Sequence, residues 1–327
     1  MRLHGITMLR NEVDVVEAFV RHNLGVLDGL SVVDHGSFDG TSDVLASLRD
    51  EGLPLRIVHD PDPAYRQSQT MTALAREALA SEAADFVFAL DGDEFLKLQS
   101  RAALERALGE IPAGMHAAMH WLTYVPDAFD DDGGFGPGHL WWRLKAERQS
   151  LLKVVVTRSL LERRDDMIAM GNHAVSSGAE KTIPPHARLS DDIVSLAHCP
   201  VRSRAQFEAK IIVGYLANVA SRPGDRRLAR HWRELYNELR AGGTFSEARL
   251  REIARNYGLP LKNWRPAAEI ELVEDPVALT AVRRYRSDAI CDPLRLLLRF
   301  TETLIDEERG YATDDRSLTT ATQYVTL

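Results

Sequence analysis

A chain of 327 residues, 45% apolar and 27% charged, has the composition of an ordinary folded protein and length enough for one large α/β domain with an appendage. Its 40 basic and 48 acidic side chains give a net charge of −8 spread along the sequence, which argues against nucleic acid or an anionic membrane as a general partner. Two cysteines, Cys199 and Cys291, exclude a disulfide framework and a cysteine-rich zinc site and fit a reducing compartment.

Met1-Arg2-Leu3-His4-Gly5 runs straight into a strand-like segment with no secretory pattern. No later stretch sustains the roughly 18 apolar residues of a membrane span. The expectation is a cytoplasmic protein without stable membrane insertion. From Leu3 to Met8 an apolar run reads as a strand. Asn11 can then cap a helix with Val13, Val16, Val20, Leu24 and Leu27 on one face. Leu30 to Val33 is a second strand, followed by the loop His35-Gly36-Ser37-Phe38-Asp39-Gly40-Thr41 and a helix ending near Gly52. Leu55 to Val58, Arg66 to Ser81 and Phe86 to Leu90 repeat the unit as strand, helix and strand. Fully apolar strands alternating with helices predict a mostly parallel sheet covered on both faces. Beyond Asp93, Met115–Tyr124, Leu151–Thr157, Met167–Val175 and Ile193–Ala197 read as strands with longer connections rich in Gly, Pro and Asp. From Ser203 the pattern turns helical. We place a boundary near Pro223, giving an α/β unit over 1–222 and a helical region over 223–327 whose last residues, from about Thr313, lack periodicity.

The sharpest feature is Asp91-Gly92-Asp93-Glu94-Phe95, directly after the apolar strand Phe86–Leu90. Burying so many charges without partners is costly, and in an open parallel sheet ligands gather at the carboxyl ends of strands. The acids therefore face a cleft. Two carboxylates separated by one glycine can hold a hard divalent cation, Mg²⁺ or Mn²⁺, which neutralises a diphosphate. An acidic turn capping the next element is the alternative.

Three segments resemble the glycosyltransferase family 2 superfamily. Met8-Leu9-Arg10-Asn11-Glu12 is followed by Val32-Val33-Asp34-His35-Gly36-Ser37-Phe38-Asp39-Gly40-Thr41, similar to that family's VVDxGSxDGT loop. Leu90 to Phe95 is similar to its lDxDEF version of the DxD motif. Ala197-His198-Cys199-Pro200-Val201-Arg202-Ser203, with Gln206, Phe207 and Lys210 following, resembles a His-x-x-x-Arg-Ser segment opening a helix. The resemblance covers roughly residues 3 to 220 and implies a GT-A fold, a nucleotide-sugar donor with a preference for uridine, and a saccharide or other hydroxyl acceptor.

Roles transfer only to matching positions. Asp34 would receive the nucleotide base or ribose, or else bond its own loop. Arg10 would reach the base or diphosphate, or stay solvated. Asp91 would contact ribose or metal, and Asp93 would bind the metal directly. His198 either completes an oxygen-rich metal shell or is a hydrogen-bonded core histidine. A metal shared by Asp93 and His198 requires the two side chains to converge within roughly 3–5 Å. Arg202 and Lys210, near the start of a helix, can hold phosphate or be surface charges. Lys153 meets phosphate or pairs with a carboxylate.

The family's Glu-Asp pair downstream of the DxD is not recognisable, so the general base is open between His173 and the run Asp130-Asp131-Asp132, with Asp131 at its centre. Inversion of configuration is inferred from the family alone. Trp121, Tyr124, Trp141 and Trp142 either stack on sugar rings or fill the core. Three competitors remain. A non-catalytic nucleotide-sugar-binding protein would also lack a base. Asp91-Gly92-Asp93-Glu94-Phe95 is similar to the Gly-Gly-Asp-Glu-Phe signature of diguanylate cyclases, but their upstream Asp-x-Asp-x-Phe-Lys segment is missing. A haloacid-dehalogenase-type phosphatase fits worse, with Phe95 and Leu96 where a Thr or Val is needed.

Overall fold

The computed structural model describes residues 1–129, 135–149, 151–178, 181–221, 230–279, 284–285 and 292–314. Strands and helices alternate at the start as the periodicity predicts: β1 (Leu3–Leu9), α1 (Val16–Leu24), β2 (Gly29–Asp34), α2 (Thr41–Asp50), β3 (Leu55–His59), α3 (Gln67–Ala80) and β4 (Phe86–Leu90). The four strands lie in the order β4-β1-β2-β3, all parallel. Because successive strand residues point to opposite faces, these apolar strands feed two separate cores. Phe88 and Leu90 of β4 and Leu30 and Val32 of β2 pack on one side with Phe19 of α1 and Leu45 of α2. Val87, Ala89 and Val33 pack on the other with Met71, Leu74 and Leu79 of α3. Helices therefore cover both faces, the expected α/β class.

Asn11 does not cap α1. Its backbone is left-handed (φ 58°), a conformation Asn tolerates, and its side chain accepts from the Phe38 N–H at 2.8 Å, tying the first loop to the second. α1 begins later, at Val16, without a side-chain cap.

Past β4 the sheet continues with β5 (Glu94–Leu98), β6 (Ala117–Val125), β7 (Trp142–Leu144) and β8 (Leu152–Thr157), with α4 (Arg101–Gly109) between β5 and β6. β8 joins β4 to β6, antiparallel to both. After α5 (Ser159–Glu162), the predicted strand over Met167–Val175 is instead a small hairpin, β9 (Met167–Ile168) and β10 (Val175–Ser176), because Gly171 and Asn172 take positive φ and break it. β11 (Ala187–Arg188) pairs with β6. β12 (Val194–His198) lies parallel to β6 on one side and antiparallel to β5 on the other.

The remaining chain gives α6 (Arg204–Ser221), α7 (Arg230–Arg240), α8 (Glu247–Arg255), β13 (Leu272–Glu274) and α9 (Pro293–Asp314). Among the described residues beyond 223 the longer elements are helices, and β13 adds to the sheet against β7. α6, α7 and α8 close a third core over Val125 and Leu144 through Phe207, Ile211, Leu235 and Ile253. Leu296 and Phe300 of α9 pack on α6. No helix among the described residues is long and apolar enough to cross a membrane.

β5 owes its position to Asn23 of α1, which is fully buried. Its amide nitrogen donates to the carbonyls of Glu94 and Phe19, each at 3.0 Å, and its oxygen accepts from the Leu96 N–H at 3.0 Å. Asn23→Ala strands two β5 backbone groups away from water. At about 1–3 kcal/mol for each orphaned group, it should lower unfolding stability by about 2–6 kcal/mol, measurable by urea denaturation.

Candidate active site

A cavity of about 480 Å³ opens beyond the carboxyl ends of β1, β4 and β12, within the range of small-molecule sites. The Asp91–Asp93 turn, Arg10, Tyr65, His173, His198, Lys210 and Tyr257 all contribute to its wall. Asp93 and His198 are brought together by the β5–β12 pairing. His198 stands opposite Glu94 in the register, and the Cys199 N–H donates to the Asp93 carbonyl at 3.0 Å. His198 Nε2 consequently lies 3.4 Å from Asp93 Oδ1. Each is only 2–3% exposed.

Asp93 is a buried carboxylate surrounded by cations. Lys210 Nζ donates to Oδ2 at 2.5 Å, and Arg202 Nη1 lies 3.6 Å from the same oxygen. Burial alone would raise its pKa, but Lys210, His198 and Arg202 hold the carboxyl well below the usual range. Arg202 is itself 1% exposed and bound by Asp14 at 2.6 Å and by Glu12. Burial raises Glu12 to about 7 against the pull of Arg202.

Asp91 sits at the other end of the turn. Its Oδ1 accepts from Asn172 at 2.9 Å and Gln67 at 3.2 Å, and its Oδ2 pairs with Lys153. Lys153 lies fully buried on β8 and also meets Glu94 at 2.9 Å. It lies behind the turn and is absent from the cavity wall, so its partners are carboxylates. Burial would lower its pKa, yet Asp91 and Glu94 raise it, keeping the ammonium charged.

The other expected donor contacts divide in the same way. Asp34 is 2% exposed, and its oxygens accept from the Ser37 N–H at 3.1 Å and from the Ser42 hydroxyl. It shapes its own loop and does not line the cavity. Arg10 lines the cavity, but its guanidinium donates to the carbonyls of His35, Pro63 and Asp62 and lies 5.3 Å from the Phe300 ring centre. Arg202 is a buried counter-ion outside the wall, whereas Lys210 lies in it. Asp131, with its acidic run, falls outside the described residues.

His173 faces the cavity with a defined tautomer. Its Nδ1 lies 2.8 Å from the Leu152 carbonyl, which can only accept, so Nδ1 carries the proton and Nε2 a lone pair. Nε2 has no hydrogen-bond partner among the described residues. The ring stacks on Trp121 at 5.7 Å, and burial followed by Lys153 lowers its pKa, favouring the neutral form. Trp121 also meets His198 edge-on at 4.1 Å. Of the other aromatics, Tyr124 is a core residue whose hydroxyl donates to the Asp275 carbonyl, and Trp141 is 39% exposed outside the cavity wall.

The structure adds wall residues that carried no sequence signal. Tyr65, Gln67, Trp232 and Tyr257 arrive from a loop and helices without a motif. Asn172 could have been found, since it adjoins Gly171 and His173 in a turn too polar for a strand.

No family model and no curated protein matches the sequence. Among solved structures the chain is similar to TarS of S. aureus, with 13% identity over 80% of this chain and 46% of that one, at a TM-score of 0.39. The chain thus spans less than half the length of TarS. It is also similar to the mannosyltransferase PcManGT from Pyrobaculum calidifontis in complex with GDP-Man and Mn²⁺, with 16% identity, 82% and 77% coverage and a TM-score of 0.37. Glucosyl-3-phosphoglycerate synthase from Mycobacterium tuberculosis matches 37% of the chain and 43% of its own at 19% identity, with a TM-score of 0.24. These likenesses fix no family for the chain.

Removing one member of a buried charge cluster leaves the others uncompensated, at a cost of about 3–5 kcal/mol. Arg202→Met should therefore destabilise the fold by about that amount at neutral pH in guanidinium unfolding, although Arg202 does not reach the cavity.

Proposed function

We propose that this protein is a glycosyltransferase of the GT-A type, taking a sugar from a nucleotide-sugar, UDP-linked by preference, to a hydroxyl acceptor with divalent-metal assistance. The observation that carries this is the convergence of Asp93, His198 and Lys210 on the cavity beyond the carboxyl end of β4. Such a place suits a diphosphate held between a metal and a lysine.

The residues present fit a divalent ion. Ligands bound 2.0–2.3 Å from one ion stand about 3 Å apart, close to the 3.4 Å between Asp93 Oδ1 and His198 Nε2. Among the described residues no three His, Cys, Asp or Glu side chains are grouped to hold an ion. The remaining positions would fall to diphosphate oxygens and water, the usual arrangement for Mg²⁺. When bound, the ion would neutralise the departing diphosphate.

The chain's own groups supply the rest. Lys210 binds phosphate from α6. Gln67 and Asn172 orient Asp91 toward the ribose or ion. His173 Nε2 takes the proton from the acceptor hydroxyl as its oxygen bonds the anomeric carbon and the bond to the diphosphate breaks, consistent with inversion, while Trp121, 9% exposed, backs the imidazole by stacking on it. His173 works only when neutral, and its pKa is lowered from 6.5. The acid limb of kcat/KM should lie below pH 6.5, with activity falling as pH drops through that limb.

Two measurements test the proposal. In calorimetry, UDP should bind with Mn²⁺ present and not in EDTA, and Asp93→Asn should abolish the metal-dependent binding; tight binding in EDTA would sink the metal role. His173→Ala should cut kcat about 10²–10⁴-fold, the usual contribution of a general base, while leaving Mn²⁺·UDP affinity within about threefold. Full turnover in that variant would move the base elsewhere.

A further inference from the structure

If Asp93 binds a divalent ion, that ion must enter beside a cation already there. Lys210 Nζ sits 2.5 Å from Asp93 Oδ2, and Arg202 Nη1 lies 3.6 Å from the same oxygen. The two cations are held differently. Arg202 is tied to Asp14 and Glu12, lies outside the cavity wall and is fixed. Lys210 lies in the wall, on an unbranched stem rising from α6. Asp93 is its hydrogen-bond partner among the described residues, and its Nζ stands 6.0 Å over the Tyr257 ring. Lys210 can leave Asp93 by rotating its own side chain, without disturbing the fold.

An ion spanning Asp93 Oδ1 and His198 Nε2 would share one carboxylate with this ammonium. Positive charges that close, at a site where Asp93 is only 2% exposed, repel with little screening by water. With only two protein ligands, a bare ion gains too little to evict the lysine. A diphosphate changes both terms, because it adds oxygen ligands for the ion and a new anion for the ammonium.

We propose that Lys210 is an internal stand-in for the divalent ion. Without a diphosphate it holds Asp93 and keeps bare metal out; when metal and diphosphate arrive together, it turns from Asp93 to the phosphates. Metal and donor therefore bind as a unit, and the lysine enforces that order. The idea rests on the metal-dependent donor site proposed above.

The test uses the full chain, with Mn²⁺ alone as the first probe and Mn²⁺ plus UDP as the second, following free Mn²⁺ by electron paramagnetic resonance. Lys210→Met should bind Mn²⁺ alone at least tenfold more tightly than wild type. Lys210→Gln, which keeps a donor to Asp93 but not the charge, should show the same direction of change. Both variants should lose at least tenfold in UDP affinity in saturating Mn²⁺. If wild type binds Mn²⁺ with UDP but neither variant gains affinity for Mn²⁺ alone, Lys210 does not compete and the inference falls while the donor site stands. If wild type takes up no Mn²⁺ even with UDP, the metal-dependent site itself is wrong and the inference goes with it.

Discussion

The structure turns on one buried carboxylate, Asp93, whose backbone is pinned to β12 and whose side chain is surrounded by cations. Its carbonyl accepts from the Cys199 N–H, fixing the end of the acidic turn against the end of β12. Its carboxylate then requires positive charge, because an unpaired ion at that depth would be strongly disfavoured. Arg202 and Lys210 supply it, and both lie just after β12 in the chain, so the same pairing that buries Asp93 delivers its partners. Behind the turn Lys153 does the same for Asp91 and Glu94. Three cations from two distant segments thus converge on five residues of loop and strand. The acidic turn in its observed shape depends on contacts from β8, β12 and α6 together.

That dependence explains what the sequence discloses. β1 to β4 announce themselves as apolar runs bounded by Gly, Asp and Asn, and their residue-by-residue alternation between two cores follows from strand geometry. β5 does not, because it begins with the buried acid Glu94 and contains Lys97, so its local pattern resembles the continuation of a polar loop. Its identity as a strand comes from β12 and from Asn23, partners about a hundred and about seventy residues away. Lys153 is partly legible, since a lysine inside Leu152-Lys153-Val154-Val155-Val156 must have an anionic partner, but nothing local names Asp91 and Glu94. Asp34 is the reverse case. A family-like loop drew attention to it as a ligand contact or as a group bonding its own loop, and the structure shows the local bonds, with its carboxylate accepting from the Ser37 N–H and the Ser42 hydroxyl.

The proposal of His173 as the base rests on the same electrostatic constraint. Glu12, Asp91 and Asp93 are carboxylates of the cavity wall, and each is engaged by a cation or by amide donors. A further free carboxylate would add negative charge to a cleft proposed to admit a diphosphate. A neutral imidazole can accept a proton there without that penalty, becoming a cation only as negative charge develops on the leaving group. The turn preceding His173 fixes the place of the ring. Gly171 (φ 79°) and Asn172 (φ 60°) both lie in the left-handed region, and a Cβ on Gly171 would come within 2.7 Å of the imidazole. Only glycine leaves room for the ring between that turn and Trp121. One turn therefore sets both Asn172 on Asp91 and His173 on Trp121, so the placing of the acidic turn and the placing of the imidazole depend on each other.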